Sequence, residues 1–388
     1  MNIAILGYGT IGSGVYDIIS KSSNFKDLKV IKILDLPIHN HNIDIITYDI
    51  NDIIDNQDID LVVETIGGIY PAYDYIINCL KAKKHVVSAN KAVICKYLKE
   101  FVSVSKDNNV SFMFEASVGG GIPWLNNLIR VAKIDDINYF YGIFNGTSNF
   151  ILDHMYSKNK DFNDALALAK QYNYAEACPK ADISGYDIAN KVCISGSIAF
   201  NSYLDSDDFC VYPMGNISFN DINYFKDKGY IIKYIGEAKR VDNLYEAFIM
   251  LNILKVDSLE ANTKVNNNII SLYGDHIKEL KFYGEGAGKE PTASAIILDI
   301  LDIKDNINNL NIDSFSIIEY SDNLSLNKYL IRYNNIIDYN DSIESIDKYY
   351  NDYYIITKLL TLRDFRLIFN DILNDQDNIL VFKYKDIN

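Results

Sequence analysis

The chain has 388 residues, room for two or three domains each with its own core, and its 48% apolar and 23% charged residues are ordinary for a globular protein. A net charge of -15 without a basic patch argues against nucleic-acid or anionic-membrane partners. The five scattered cysteines show no C-x-x-C or zinc spacing, and no apolar run approaches the roughly eighteen residues of a membrane span, so a reduced, cytoplasmic protein is expected.

A short apolar run at residues 3–6 suits a buried parallel strand, and Gly7, Gly9 and Gly12 follow it as G-x-G-x-x-G. Ile11, Val15, Ile18 and Ile19 then recur at helical spacing. Gly7 permits a tight turn, Gly9 lets a pyrophosphate approach the backbone, and Gly12 lets the helix pack close to the strand. Thr10 and Ile11 open that helix, whose free N–H groups face the anion. A glycine turn without a ligand is the plainer reading, but a strand before and a helix after put dinucleotide binding ahead.

Residues 30–34 form the second expected strand, ending in Asp35. A carboxylate there is placed to accept from a ribose 2′-hydroxyl and would repel a 2′-phosphate. No Arg or Lys follows before Pro37, which favours NAD over NADP; a surface aspartate in a loop is the other reading. Strand 59–63 runs into Glu64-Thr65-Ile66-Gly67-Gly68, and a helix is expected over 72–83. Strand 85–87 delivers Lys91 at a helix start, at the carboxyl end of the sheet where ligands sit in such folds; an ordinary solvated lysine is the alternative. Strand 110–114 leads to Glu115 and three glycines, 119–121. The carboxylate and neighbouring carbonyls offer oxygen ligands to a cation, or the segment is a bare loop before a helix; the sequence leaves both open.

Residues 1–132 thus read as a Rossmann-type doubly wound parallel sheet that binds NAD(P). Residues 133–288 read as an α+β domain, with a strand at 138–144, helices at 148–158, 161–172 and 186–202, and a hairpin joining 230–240 to 244–253. The apolar helix 291–303, inside segment 289–310, is expected to return to the first domain. Residues 311–388 read as a small α/β module with strands at 326–333, 353–358 and 379–384 and a helix over 363–373.

Segment 174–191 carries the densest chemistry. With a helix from about Gly185, Asp187 and Lys191 form an i,i+4 acid–base pair. Lys191 can protonate a carbonyl oxygen while hydride reaches the carbon, with Asp187 holding the ammonium, and Glu176 and Asp182 can grip a substrate ammonium. An ordinary surface salt bridge is the competing reading.

Six motifs in order resemble homoserine dehydrogenase: G-Y-G-T-I-G-S-G-V at 7–15, V-V-S-A-N-K-A-V-I at 86–94, E-A-S-V-G-G-G-I-P at 115–123, G-I-F-N-G-T-S-N-F-I-L at 142–152, segment 174–191, and G-E-G-A-G-K-E-P-T-A-S-A at 284–295. The resemblance implies reversible NAD(P)-dependent interconversion of L-aspartate 4-semialdehyde and L-homoserine, in threonine and methionine biosynthesis. It implies Lys191 as proton donor, Lys91 at the nicotinamide and reacting centre, and Glu176, Asp182, Asp187 and Thr147 at the substrate. Thr65 and Gly288 match cofactor contacts, and Glu115 with the carbonyls of Val118, Gly120 and Ile122 matches a monovalent-cation site. A homodimer or higher homo-oligomer formed through the second, catalytic domain is implied as well. The chain departs from the family at Cys178, usually Asp, and at Asn173, usually Gly. Asp35 stands where many relatives carry a basic residue, which strengthens the lean to NAD. The tail is similar to an ACT module but short and divergent, with a poorly formed helix after 326–333. A related semialdehyde dehydrogenase and a catalytically silent ligand sensor are the alternatives; Lys91, Glu176, Asp187 and Lys191 together speak against the second.

Overall fold

The computed structural model describes residues 1–39, 43–175, 178–307, 315–335, 340–375 and 378–385. They fall into two compact units: residues 1–135, 193–205 and 284–316, and residues 136–192, 206–283 and 317–388.

The first unit alternates strands and helices. These are β1 (Asn2–Leu6), α1 (Thr10–Lys21), β2 (Lys29–Leu34), β3 (Ile46–Thr47), α2 (Asn51–Ile54), β4 (Leu61–Glu64), α3 (Ala72–Lys81), β5 (His85–Ser88), α4 (Lys91–Asp107), β6 (Phe112–Met113) and α5 (Leu125–Val131). The six strands lie in the order β3-β2-β1-β4-β5-β6, all parallel, which is the doubly wound arrangement expected. Ile3 to Leu6 and all four residues of β4 are buried, as strands covered on both faces must be. Sequential strands wind outward on both sides of β1, so the turns after β1 and β4 lie side by side at the carboxyl edge.

The late helix α11 (Lys289–Lys304) belongs to this unit, where Ala293, Ile296, Ile297 and Ile300 share a core with Ile3, Val15 and Val63. Its approach to α1 is close because position 14 is glycine: a Cβ there would stand 3.1 Å from that of Ala293.

The second unit contains β7 (Ile137–Ile143), α6 (Gly146–Lys158), α7 (Phe162–Gln171), α8 (Lys180–Ser184), the start of α9 (Tyr186–Ala199), β8 (Cys210–Val211), α10 (Phe219–Asp227), β9 (Tyr230–Val241), β10 (Leu244–Lys255), β11 (Asn267–Gly274) and β12 (Lys278–Glu285). The tail adds β13 (Glu319–Tyr320), β14 (Asn327–Tyr333), β15 (Ile343–Tyr349), β16 (Asp352–Leu360), α12 (Leu362–Ile368), α13 (Asn370–Leu373) and β17 (Ile379–Tyr384). One mixed sheet runs β12-β11-β7-β9-β10-β17-β14-β16-β15, with β8 and β13 also on β10. The β9–β10 hairpin pairs twelve residues a side across a turn whose Asp242 takes the left-handed conformation that Asp tolerates.

The tail's strands are therefore continuous with the sheet of the second unit, through β17 paired parallel to β10 at Leu251–Phe382 to Ile253–Tyr384. After β14 the next described element is strand β15. Strands β11, β12 and β15 are not expected from the sequence: β11 opens on Asn267 and Asn268, and β12 and β15 carry several Lys, Glu and Asp residues, which obscures the period-2 apolar pattern. Among the described residues no helix is long and apolar enough to cross a membrane.

Candidate active site

In the first unit the turn after β1 does what its glycines require. Gly7 has φ +93°, and its N–H donates to the Leu34 carbonyl at 2.8 Å. A Cβ at Gly12 would lie 1.9 Å from the Gly7 carbonyl oxygen, so only glycine lets α1 start there. A Cβ at Gly9 would meet nothing within 4 Å, which leaves the backbone open on that side. Gly9 is also the N-cap of α1, and no side chain caps it. An uncapped helix start with Thr10, Ile11 and Gly12 in its first turn, beside an open glycine, fits a pyrophosphate. Thr65 closes the neighbouring side, its hydroxyl donating to the carbonyls of Leu6 and Gly7, both at 3.0 Å. Gly288, φ +134°, starts α11 likewise without a side-chain cap.

Asp35 follows β2 directly, and its carboxylate stands 2.9 Å from Nδ1 of His39, a partner the sequence reading did not foresee. Lys91 is the first residue of α4, half-buried behind the N-cap Asn90, whose side chain accepts from the Val93 N–H at 3.4 Å.

Glu115 is buried, its two oxygens accepting from the N–H groups of Leu125 at 3.0 Å and Asn126 at 2.6 Å. Burial pushes its carboxyl up to about 7 against the pull of those N–H groups. Its own N–H donates to Asp299 at 2.9 Å, a second buried carboxyl also raised, by burial first and then by Glu115. The segment that follows holds Val118, Gly120 and Ile122, with Gly119 and Gly120 both at positive φ. A carboxylate with backbone carbonyls is an oxygen donor set suited to an alkali cation.

In the second unit the acid–base pair is neither exposed nor isolated. Lys191 Nζ donates to Asp187 Oδ2 at 2.8 Å and to the Phe144 carbonyl at 2.7 Å, and the lysine is only 8% exposed. This excludes the surface salt bridge. Asn145, absent from the expected site, ties the cluster together: its Nδ2 donates to Asp187 Oδ2 and to Asp182 Oδ1, both at 2.7 Å. The same side chain caps α6 by accepting from the Ser148 N–H at 2.7 Å. The signal for it was the strand-to-helix junction at N-G-T-S-N, where Asn is a preferred cap. Buried Thr147 donates to the Tyr174 carbonyl at 2.5 Å, fastening α6 to the acid-bearing segment. Glu176 lies outside the described residues. Asn173 takes φ 59°, a left-handed conformation that glycine and asparagine share, so this departure leaves the local turn intact. Cys178 is exposed.

A family model described as homoserine dehydrogenase matches residues 123–301, and one described as homoserine dehydrogenase, NAD binding domain, matches residues 7–115. The homoserine dehydrogenase of Bacillus subtilis is 34% identical over 323 residues, covering 79% of this chain and 73% of the relative. That of Pseudomonas aeruginosa is 35% identical over 312 residues, covering 78% and 72%. The solved homoserine dehydrogenase of Thiobacillus denitrificans is similar with a TM-score of 0.89 at 26% identity, over 100% of this chain and 99% of its own.

Proposed function

The chain belongs to the homoserine dehydrogenase family, oxidoreductases acting on a CH–OH group with NAD(P), and from that premise we propose how its residues divide the work. The reaction is the reversible reduction of L-aspartate 4-semialdehyde to L-homoserine. Bound NAD(P)H supplies the hydride.

Lys191 is the acid–base group. Its ammonium delivers a proton to the substrate's aldehyde oxygen in reduction and recovers one from the alcohol in oxidation. The single observation that carries this role is its burial with Asp187 and the Phe144 carbonyl as partners, Asp187 being held in turn by Asn145, which fixes Nζ and two of its N–H directions. Asp182 and Asp187, bridged by the Asn145 amide, carry the negative charge that receives a substrate ammonium, and Glu176 and Thr147 are assigned to the substrate by resemblance. Lys91, at the carboxyl edge of the first sheet, is assigned to the nicotinamide.

Gly7, Gly9, Thr10, Ile11 and Gly12 cradle the pyrophosphate, flanked by Thr65 and Gly288. Asp35 accepts from the adenosine ribose, and its charge supports NAD over NADP. Glu115 with the carbonyls of Val118, Gly120 and Ile122 would hold a monovalent cation and steady the turn they form.

The test is turnover of aspartate semialdehyde with NADH and with NADPH. Turnover with a higher kcat/KM for NADH is expected. A preference for NADPH would remove the role given to Asp35, and turnover of other semialdehydes alone would remove the substrate assignment.

A further inference from the structure

Glu64 is an acidic residue that ends an otherwise apolar buried strand, and its side chain is wholly buried. Among the described residues no lysine or arginine pairs with it; it is surrounded by hydrogen-bond donors. One oxygen accepts from the N–H groups of Ile66 at 2.9 Å and Gly67 at 3.4 Å, in the loop after β4. The other accepts from the Ser88 hydroxyl at 2.5 Å, at the end of β5, and Asn90 Nδ2 lies 3.4 Å from the first. Asn90 in turn donates to the Gly68 carbonyl at 2.6 Å and caps α4, which begins at Lys91. Backbone pairing repeats the link, since Glu64 and Ser88 are opposite each other on β4 and β5 and the Ala89 N–H donates to the Glu64 carbonyl at 3.2 Å.

Every one of these side-chain partners is a donor. The backbone N–H groups cannot reverse, the Asn90 amide is oriented by its cap, and the Ser88 oxygen already accepts from the Asn90 N–H at 3.1 Å. Acceptors at both oxygen positions suit them all; a glutamine of the same shape keeps one acceptor and puts an NH₂ at the other, so either the loop N–H groups or the Ser88 hydroxyl loses its acceptor. Burying a carboxylate is costly, and burial does raise this one above the ordinary range. A core strand could end in an apolar residue without that cost, so the carboxylate is explained by what it holds.

We propose that Glu64 is a positioning residue for the dinucleotide: a buried carboxylate that fastens the Thr65–Gly68 loop to the Ser88–Lys91 segment, so that Thr65 and Lys91 stand in fixed places at the carboxyl edge of the sheet. The inference rests on the dinucleotide reading above and adds a residue that touches neither cofactor nor substrate. Its loss acts through loop order, so it falls on nucleotide binding.

The experiment compares the full-length wild type, Glu64→Gln and Ser88→Ala, with NADH titrated by fluorescence and KM measured separately for NADH and for aspartate semialdehyde. Glu64→Gln is expected to weaken NADH binding and raise its KM by roughly tenfold to a hundredfold, the effect of leaving a buried donor unmatched, while the semialdehyde KM stays within about twofold. Ser88→Ala is expected to shift the same quantities in the same direction by less, and it carries the test if Glu64→Gln does not fold. A merely structural role lowers the active fraction, hence kcat, and leaves both KM values alone; that result would overturn the proposal. A wild type that neither binds NADH nor reduces the semialdehyde would instead overturn the reading beneath it.

Discussion

In the first unit the surface proposed for the dinucleotide is mostly backbone: an uncapped helix start, an open glycine, and loop N–H groups gathered by one buried carboxyl group. In the second unit it is side chains, with Lys191, Asp187, Asn145 and Asp182 joined in a chain of bonds from 2.7 to 2.8 Å. Backbone suits a phosphate ester, which asks for several N–H groups and no proton transfer. Proton transfer needs a titratable group held in one place, which takes partners from distant stretches of chain. The two constructions therefore fail differently, and substitutions in each separate affinity from chemistry.

The largest effect is expected at Lys191. Lys191→Ala should lower kcat by roughly 10²- to 10⁴-fold while NADH binding is kept. Equal loss of NADH affinity in a titration would erase the division between the units.

The glycines come next. Gly12→Ala places a Cβ 1.9 Å from backbone oxygen and should cost several kcal/mol of stability, about 3 or more, seen as a fall in the melting temperature. Gly9→Ala meets nothing within 4 Å and should leave melting unchanged while NADH binding weakens by about tenfold. Parallel losses of stability in both variants would mean that Gly9 serves the fold and not the phosphate.

The smallest is a pH effect in the second unit, away from the chemistry. Lys233 is buried, donating to Asn149 Oδ1 at 2.7 Å and to the Thr263 carbonyl at 2.6 Å, and burial lowers its ammonium to about 7. An unfolded lysine keeps its proton to roughly 10.4. Between those values the unfolded chain binds more protons, so this group's contribution to stability rises with pH from about 7, by at most about 1.4 kcal/mol per pH unit. Lys233→Met should flatten that part of the stability profile in urea unfolding at pH 7, 8 and 9. An unaltered slope would show that the folded protein keeps Lys233 charged.

Local pattern determined much of this protein. The strand, glycine turn and helix at 2–21 are legible because each step is short-range: apolar run, forced φ, helical period. Asp187 and Lys191 lie one helical turn apart, so their pairing too is written in the spacing. Tertiary structure decided what spacing cannot carry. Asn145 reaches Asp182 and Asp187 across 37 and 42 residues, and Glu64 reaches Ser88 and Asn90 across 24 and 26. Neither partner set has a local signature, because a hydrogen bond between elements depends on which strands become neighbours. The tail's place in the second unit was decided the same way, by β17 adding to β10 after more than a hundred intervening residues. Residue types announced an acid–base pair and a dinucleotide turn; burial and long-range partners are what hold Lys191 and Glu64 in place.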